Sequence, residues 1–124
     1  MKKLIFLLTA TLLFAMPKCG TRLGSGNLEA EFIAAGYHRC SNIEVVDGNL
    51  ESRGEAVVEI KNHSNKEKKV VVLAGYVDSM SGRIGWACGT KIVYLDPREH
   101  RNIKVVFEAL PFLSRRWSAK VFCK

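Results

Sequence analysis

The run Gly54-Glu55-Ala56-Val57-Val58-Glu59-Ile60-Lys61-Asn62 decides the fold, read with Lys69-Val70-Val71-Val72-Leu73-Ala74-Gly75-Tyr76-Val77-Asp78 that follows it. In the first run Ala56, Val58 and Ile60 fall on one side, and Val57, Glu59 and Lys61 on the other. That period of two belongs to a half-buried strand. The second run is rich in β-branched residues and sends Val70, Val72, Ala74 and Tyr76 inward. Between them His63-Ser64-Asn65-Lys66 is turn chemistry, with polar side chains that bond their own backbone.

The same grammar extends to the C-terminus. Ser79-Met80-Ser81-Gly82 closes the second run. Arg83 to Leu95 carries Ile84, Trp86 and Cys88, is interrupted by Gly89 and resumes with Ile92 and Tyr94, which predicts two strands or one strand bent at a bulge. Asp96-Pro97 ends that run, because proline cannot donate to a ladder. Asn102 to Glu108 alternates again, with Ile103, Val105 and Phe107 on one face. After Pro111, Trp117, Ala119, Val121 and Cys123 share a face opposite Ser118, Lys120, Phe122 and Lys124. Six or seven short strands with a turn every eight to twelve residues predict an all-β antiparallel sandwich.

Upstream the grammar changes. Lys2 and Lys3 precede an unbroken apolar run from Leu4 to Ala15, the build of an export signal and too short to span a bilayer. Residues 1–18 are therefore expected to be a signal peptide cut between Ala15 and Lys18. Alternatively Cys19 is lipidated, or the run stays as an uncleaved anchor. Residues 19–36 form an N-terminal segment: Asn27 could cap a short helix that Gly36 stops, while Leu28, Ala30 and Phe32 alternate equally well as a strand. Residues 37–124 make up the sandwich domain.

Of the 124 residues 48% are hydrophobic and 25% charged, a globular composition. The formal charge of +7 falls to +5 without Lys2 and Lys3, and to +4 without Lys18. A mildly basic surface suits acidic partners. Cys19, Cys40, Cys88 and Cys123 contain no C-x-x-C pair, so neither a zinc knuckle nor a redox centre is supported, and an exported chain uses cysteine for disulfides. Cys40 precedes the strands and Cys123 lies in the last one, so a clasp between the two is expected. Cys88 then pairs with Cys19, or stays free or intermolecular if Cys19 is lipidated.

Val58-x-Ile60-x-Asn62-x-Ser64, Tyr76-Val77-Asp78, Gly82, Leu95-Asp96-Pro97-Arg98-Glu99 and Ile103-x-Val105-x-Phe107 occur in an order that resembles the FxLYD-type immunoglobulin-like domain of bacterial exported proteins. The likeness runs from about Cys40 to Lys124. Arg98 stands where that family has its corner glycine, and Ala74, Tyr76 and Val77 stand at the Phe, Leu and Tyr positions. The resemblance implies an immunoglobulin-like sandwich acting as an accessory or binding domain without catalysis.

The residues support the same expectation. His38, His63 and His100 sit in no nucleophile, metal or phosphate motif. A Glu99-His100 pairing reads as a solvated corner, and His38-x-Cys40 lacks a second close pair of ligands. No catalytic residue, metal or cofactor is assigned, and with no reading module in view no nucleic-acid partner is expected. Asn62-His63-Ser64 is a formal glycosylation sequon. Two surfaces stand out. Val57, Val71, Leu73, Val106 and Phe122 all fall opposite the core residues of their own strands. They form an apolar contact patch if they share a sheet, unless the stretch with Leu28, Phe32 and Ile33 folds over them or they lie on different sheets. Arg115, Arg116, Trp117 and Lys120 are the candidate contact for an anionic partner. The expected role is an exported accessory domain that meets another envelope or extracellular protein. The alternative is a secreted inhibitor or toxin-like effector whose basic surface engages an acidic target. Membrane contact is expected only through a lipid on Cys19.

Overall fold

The computed structural model describes residues 16–19, 28–52, 54–77, 82–107 and 116–124, with the backbone alone at 86 and 87. The apolar run Leu4 to Ala15, Asn27, Asp78 and Arg115 lie outside the described residues. Among the described residues one helix, α1 (Leu28–Ala34), precedes seven strands: β1 (His38–Arg39), β2 (Ile43–Ser52), β3 (Glu55–Asn62), β4 (Lys68–Val77), β5 (Ile84–Leu95), β6 (His100–Val106) and β7 (Trp117–Cys123). The strand pairs among these residues are antiparallel. They build a four-stranded sheet in the order β1-β7-β4-β5 and a three-stranded sheet in the order β2-β3-β6.

The two sheets pack face to face, and the alternation that defines β3 sets what lies between them. Ala56, Val58 and Ile60 meet Val70, Val72, Ala74 and Tyr76 of β4, Ile103 and Val105 of β6, and Val121 of β7, all buried. Burying each Val or Ile contributes about 1.5–3 kcal/mol, enough to fix the register, because a slip of one residue would turn every one of them to solvent.

β5 takes the second of the two expected forms, one strand of twelve residues with an irregularity. Its pairing with β4 shifts where Gly75↔Cys88 gives way to Val77↔Ile84, beside Gly89. Continuous alternation gives Val93 and Leu95 to the core. It leaves Ile92 and Tyr94 on the outer face, 45% and 55% exposed. Gly89 also marks a close approach: a Cβ there would lie 2.1 Å from the carbonyl oxygen of Val106, so only glycine lets β5 and β6 close this side of the sandwich. Lys91, in register with the core residue Val72, is an exposed charge on the inner parity of this edge, a position that discourages pairing with a further strand.

Within the segment 19–36, α1 shows Leu28–Ala34 to be helical. Glu29 and Glu31 suit its first turn, where backbone amides carry partial positive charge. A Schellman cap ends it: Gly36 sits at φ 96°, its amide donates to the Ile33 carbonyl at 3.1 Å, and the Tyr37 amide donates to the Phe32 carbonyl at 2.9 Å. Phe32 and Tyr37 meet edge to face with centroids 5.1 Å apart. The buried side of α1 sets Leu28 and Phe32 on Val71, Leu73, Ile84, Cys88 and Phe122, a second apolar cluster on the outer face of the four-stranded sheet. Disulfides Cys40–Cys123 and Cys19–Cys88 join β1 to β7 and the N-terminal strap to β5.

Candidate functional site

The expected apolar patch does not exist as one surface. Val71, Leu73 and Phe122 are buried beneath α1, where Phe32 stacks on Phe122 at 5.2 Å between centroids. Val57 and Val106 lie on the outer face of the other sheet, in register with Lys104 and Glu55. Of the three residues expected to fold over the patch, Leu28 and Phe32 do so, while Ile33 faces solvent at 56%.

The expected cationic cluster is also redistributed. Arg115 lies outside the described residues. Trp117 turns its ring onto Gly48 of β2 and closes the β2/β7 side of the sandwich. Lys120 is held: its Nζ donates to both carboxylate oxygens of Glu29 at 2.9 Å, while the Ile84 amide donates to the same carboxylate at 2.6 Å. This nearly buried carboxylate pins α1 to β7 and β5 together, so Lys120 is not open to a partner. Of the three that are described, only Arg116 is exposed.

Cys19 is spent in its disulfide, so the thiol that lipidation would consume is occupied. Glu99 and His100 do not form an acid–base pair. His100 pairs with Glu59 across β3 and β6, and Glu99 accepts from the Asp96 amide at 2.8 Å and from Arg101 Nε at 2.8 Å. These bonds hold the Glu99 carboxyl below its ordinary value, with the Asp96 amide the larger cause. His63 lies 2.7 Å from Glu44. Among the described residues no group of three or more His, Cys, Asp or Glu is placed to hold a metal. The sequon asparagine is fully buried. Asn62 Nδ2 donates to the carbonyls of Lys66 (2.8 Å) and Asp96 (3.0 Å), and its Oδ1 accepts from the amide and hydroxyl of Ser64. It therefore ties the β3–β4 turn to the Asp96-Pro97-Arg98-Glu99 corner. Arg98 adopts φ 64° at that corner, the left-handed conformation that a glycine would take.

A different surface emerges from the two sheets. The strands of the four-stranded sheet carry five Lys or Arg and no Asp or Glu. Those of the three-stranded sheet carry five acids, Glu44, Asp47, Glu51, Glu55 and Glu59, against three bases. On the outer face of the four-stranded sheet, register aligns Arg39, Phe122, Val71 and Ile92 in one row, whose middle two residues lie under α1, and Lys69 with Tyr94 in the next. Lys124 flanks the second row, with its Nζ over the Tyr37 ring at 5.0 Å. Arg39 sits over the Phe122 ring at 5.9 Å. Cations and exposed apolar side chains thus share one end of the molecule. Reading β5 as unbroken would have turned Ile92 and Tyr94 outward and marked this end from the sequence.

Comparison with family models, curated proteins and solved structures finds no match to this chain.

Proposed function

We propose that the protein is an exported, non-catalytic binding domain, an accessory module that engages an acidic partner in the envelope or outside the cell. The carrying observation is the separation of charge between the strands of the two sheets, five bases and no acid in one against five acids and three bases in the other. Such a distribution orients an approaching anionic partner toward one face. Export is supported by the basic start and apolar run of the first fifteen residues and by two disulfides, which are compatible with an oxidising compartment. The resemblance to FxLYD-type domains supports the same accessory role.

Retention on immobilised polyglutamate tests the reading. The disulfide-intact protein is captured at about 0.01 M ionic strength and released at about 1 M, as the Debye length shrinks from about 30 Å to about 3 Å. The double variant Arg39→Gln with Lys69→Gln loses retention. Lys61→Gln with Lys104→Gln, which removes the same charge from the other sheet, keeps it. Equal behaviour of the two variants would refute a face-specific anionic contact.

A further inference from the structure

We propose that the acidic partner is an anionic phospholipid surface, and that the uncovered end of the four-stranded sheet lies against it. The inference rests on the binding role above and adds the partner's chemistry. Among the described residues, three of the five large hydrophobic side chains that are exposed, Ile33, Ile92 and Tyr94, lie on this layer of the molecule. Ile92 and Tyr94 alternate outward on β5. Ile33 projects from the last turn of α1, just before the Gly36 cap that leads into Tyr37 beneath the Lys124 ammonium. Isoleucine enters the boundary between headgroups and acyl chains, and tyrosine sits there with its ring in the apolar zone and its hydroxyl among the headgroups.

The cations around these side chains are built for such a boundary. Arg39 and Lys124 lie over the rings of Phe122 and Tyr37, and Lys69 is the cross-strand neighbour of Tyr94. All three cations are exposed beside apolar surface, the placement of long basic side chains at a lipid interface. A fixed acidic epitope on a protein would call for an array of matched donors, whereas Arg39, Lys69 and Lys124 beside the protruding Ile92 and Tyr94 suit a sheet of phosphates over acyl chains. The opposite sheet carries an excess of acids, so a negative membrane repels that side and leaves one orientation. The chain also enters the domain on the same layer. Met16, directly after the apolar run, packs with Tyr37 against the cluster beneath α1.

Each cation near an anionic bilayer is worth about 1 kcal/mol, roughly a fivefold change in partition, so Arg39, Lys69 and Lys124 together supply roughly a hundredfold preference for charged over neutral membrane.

Vesicle sedimentation of the exported, disulfide-intact protein tests this. One set of vesicles is phosphatidylcholine and the other is a phosphatidylcholine–phosphatidylglycerol mixture. The readout is the ratio of the two partition coefficients, which cancels any contribution from retained apolar N-terminal sequence. The protein should favour the charged vesicles, and Arg39→Gln with Lys69→Gln should lower the ratio by roughly 25-fold. Ile92→Ser with Tyr94→Ser should weaken binding to the charged vesicles while leaving the fold intact by circular dichroism. Lys61→Gln with Lys104→Gln should change the ratio by less than about twofold. Equal partition onto both vesicle types overturns the inference, as does an equal fall in the two charge variants. Capture by polyglutamate that needs Arg39 and Lys69, without vesicle binding, assigns the face to an acidic protein and sinks the lipid alone. Failure on both matrices removes the binding role as well.

Discussion

Removing either disulfide should destabilise the protein by nearly the same amount, although one clasps the inner core and the other holds what looks like a peripheral strap. Cys19–Cys88 and Cys40–Cys123 span sequence separations of 69 and 83 residues. Loop-closure entropy then gives about 4.4 and about 4.6 kcal/mol at 25 °C. The near equality holds only if the strap unfolds together with the sandwich. The structure requires that it does, since a helix of seven residues cannot persist alone in water and Leu28 and Phe32 are fully buried on the sheet. Against a total stability of about 5–15 kcal/mol, either loss is a large fraction. The assay is urea unfolding of C19A/C88A and C40A/C123A without reductant, followed by far-ultraviolet circular dichroism and tryptophan fluorescence. Each variant should show a single transition at a clearly lower midpoint. If C19A/C88A loses less than about 1 kcal/mol while C40A/C123A loses several, or if its two probes separate, the outer layer is not part of one cooperative unit and the reasoning fails.

Asn62→Asp should cost about 2–3 kcal/mol in the same assay, because a carboxylate cannot donate to the Lys66 and Asp96 carbonyls. A glycan on Asn62 cannot coexist with this corner, so folded protein recovered from a glycosylating host should carry none by intact mass. Gly89→Ala should lower stability by about 1–3 kcal/mol as β5 is pushed from β6, read as a fall in the urea midpoint. Glu99 has a carboxyl held below its ordinary value of 4.5 in the folded state. Its contribution is complete above that value and is lost as pH falls through the depressed one, so Glu99→Gln should flatten the acid limb of a stability–pH profile and leave the neutral region unchanged in shape.

Most of the sandwich is legible because one parity of each strand is dry. Ala56, Val58 and Ile60, then Val70, Val72, Ala74 and Tyr76, alternate against polar or surplus apolar neighbours and take the faces that alternation assigns. The surplus itself was informative: Val71, Leu73 and Phe122 stood where solvent should be, and a third layer covers them. The form of that layer was not legible, since over seven residues the apolar positions Leu28 and Phe32 fit helix and strand alike. Gly89 was legible only in part, because glycine inside a strand signals a bulge and a close backbone approach equally, and only the position of β6 shows the second. The Glu29–Lys120 contact was beyond reach for another reason. It joins residues 91 apart, and pattern within a segment carries no information on which distant charge a carboxylate will meet. The cation-rich end of the sheet was hidden in the same way, since its rows are assembled from α1, β1, β4, β5 and the C-terminal residue.

The crossed order of the cysteine bonds has a consequence for biogenesis. Thiols emerge during synthesis in the order 19, 40, 88, 123, while the native bonds join the first to the third and the second to the fourth. The earliest pair able to meet, Cys19 with Cys40, is wrong on both sides, and oxidation that merely keeps pace with emergence traps it. Correct pairing then proceeds through thiolate attack and a mixed intermediate. Recombinant yield should accordingly follow the supply of a disulfide isomerase more closely than the strength of the oxidant.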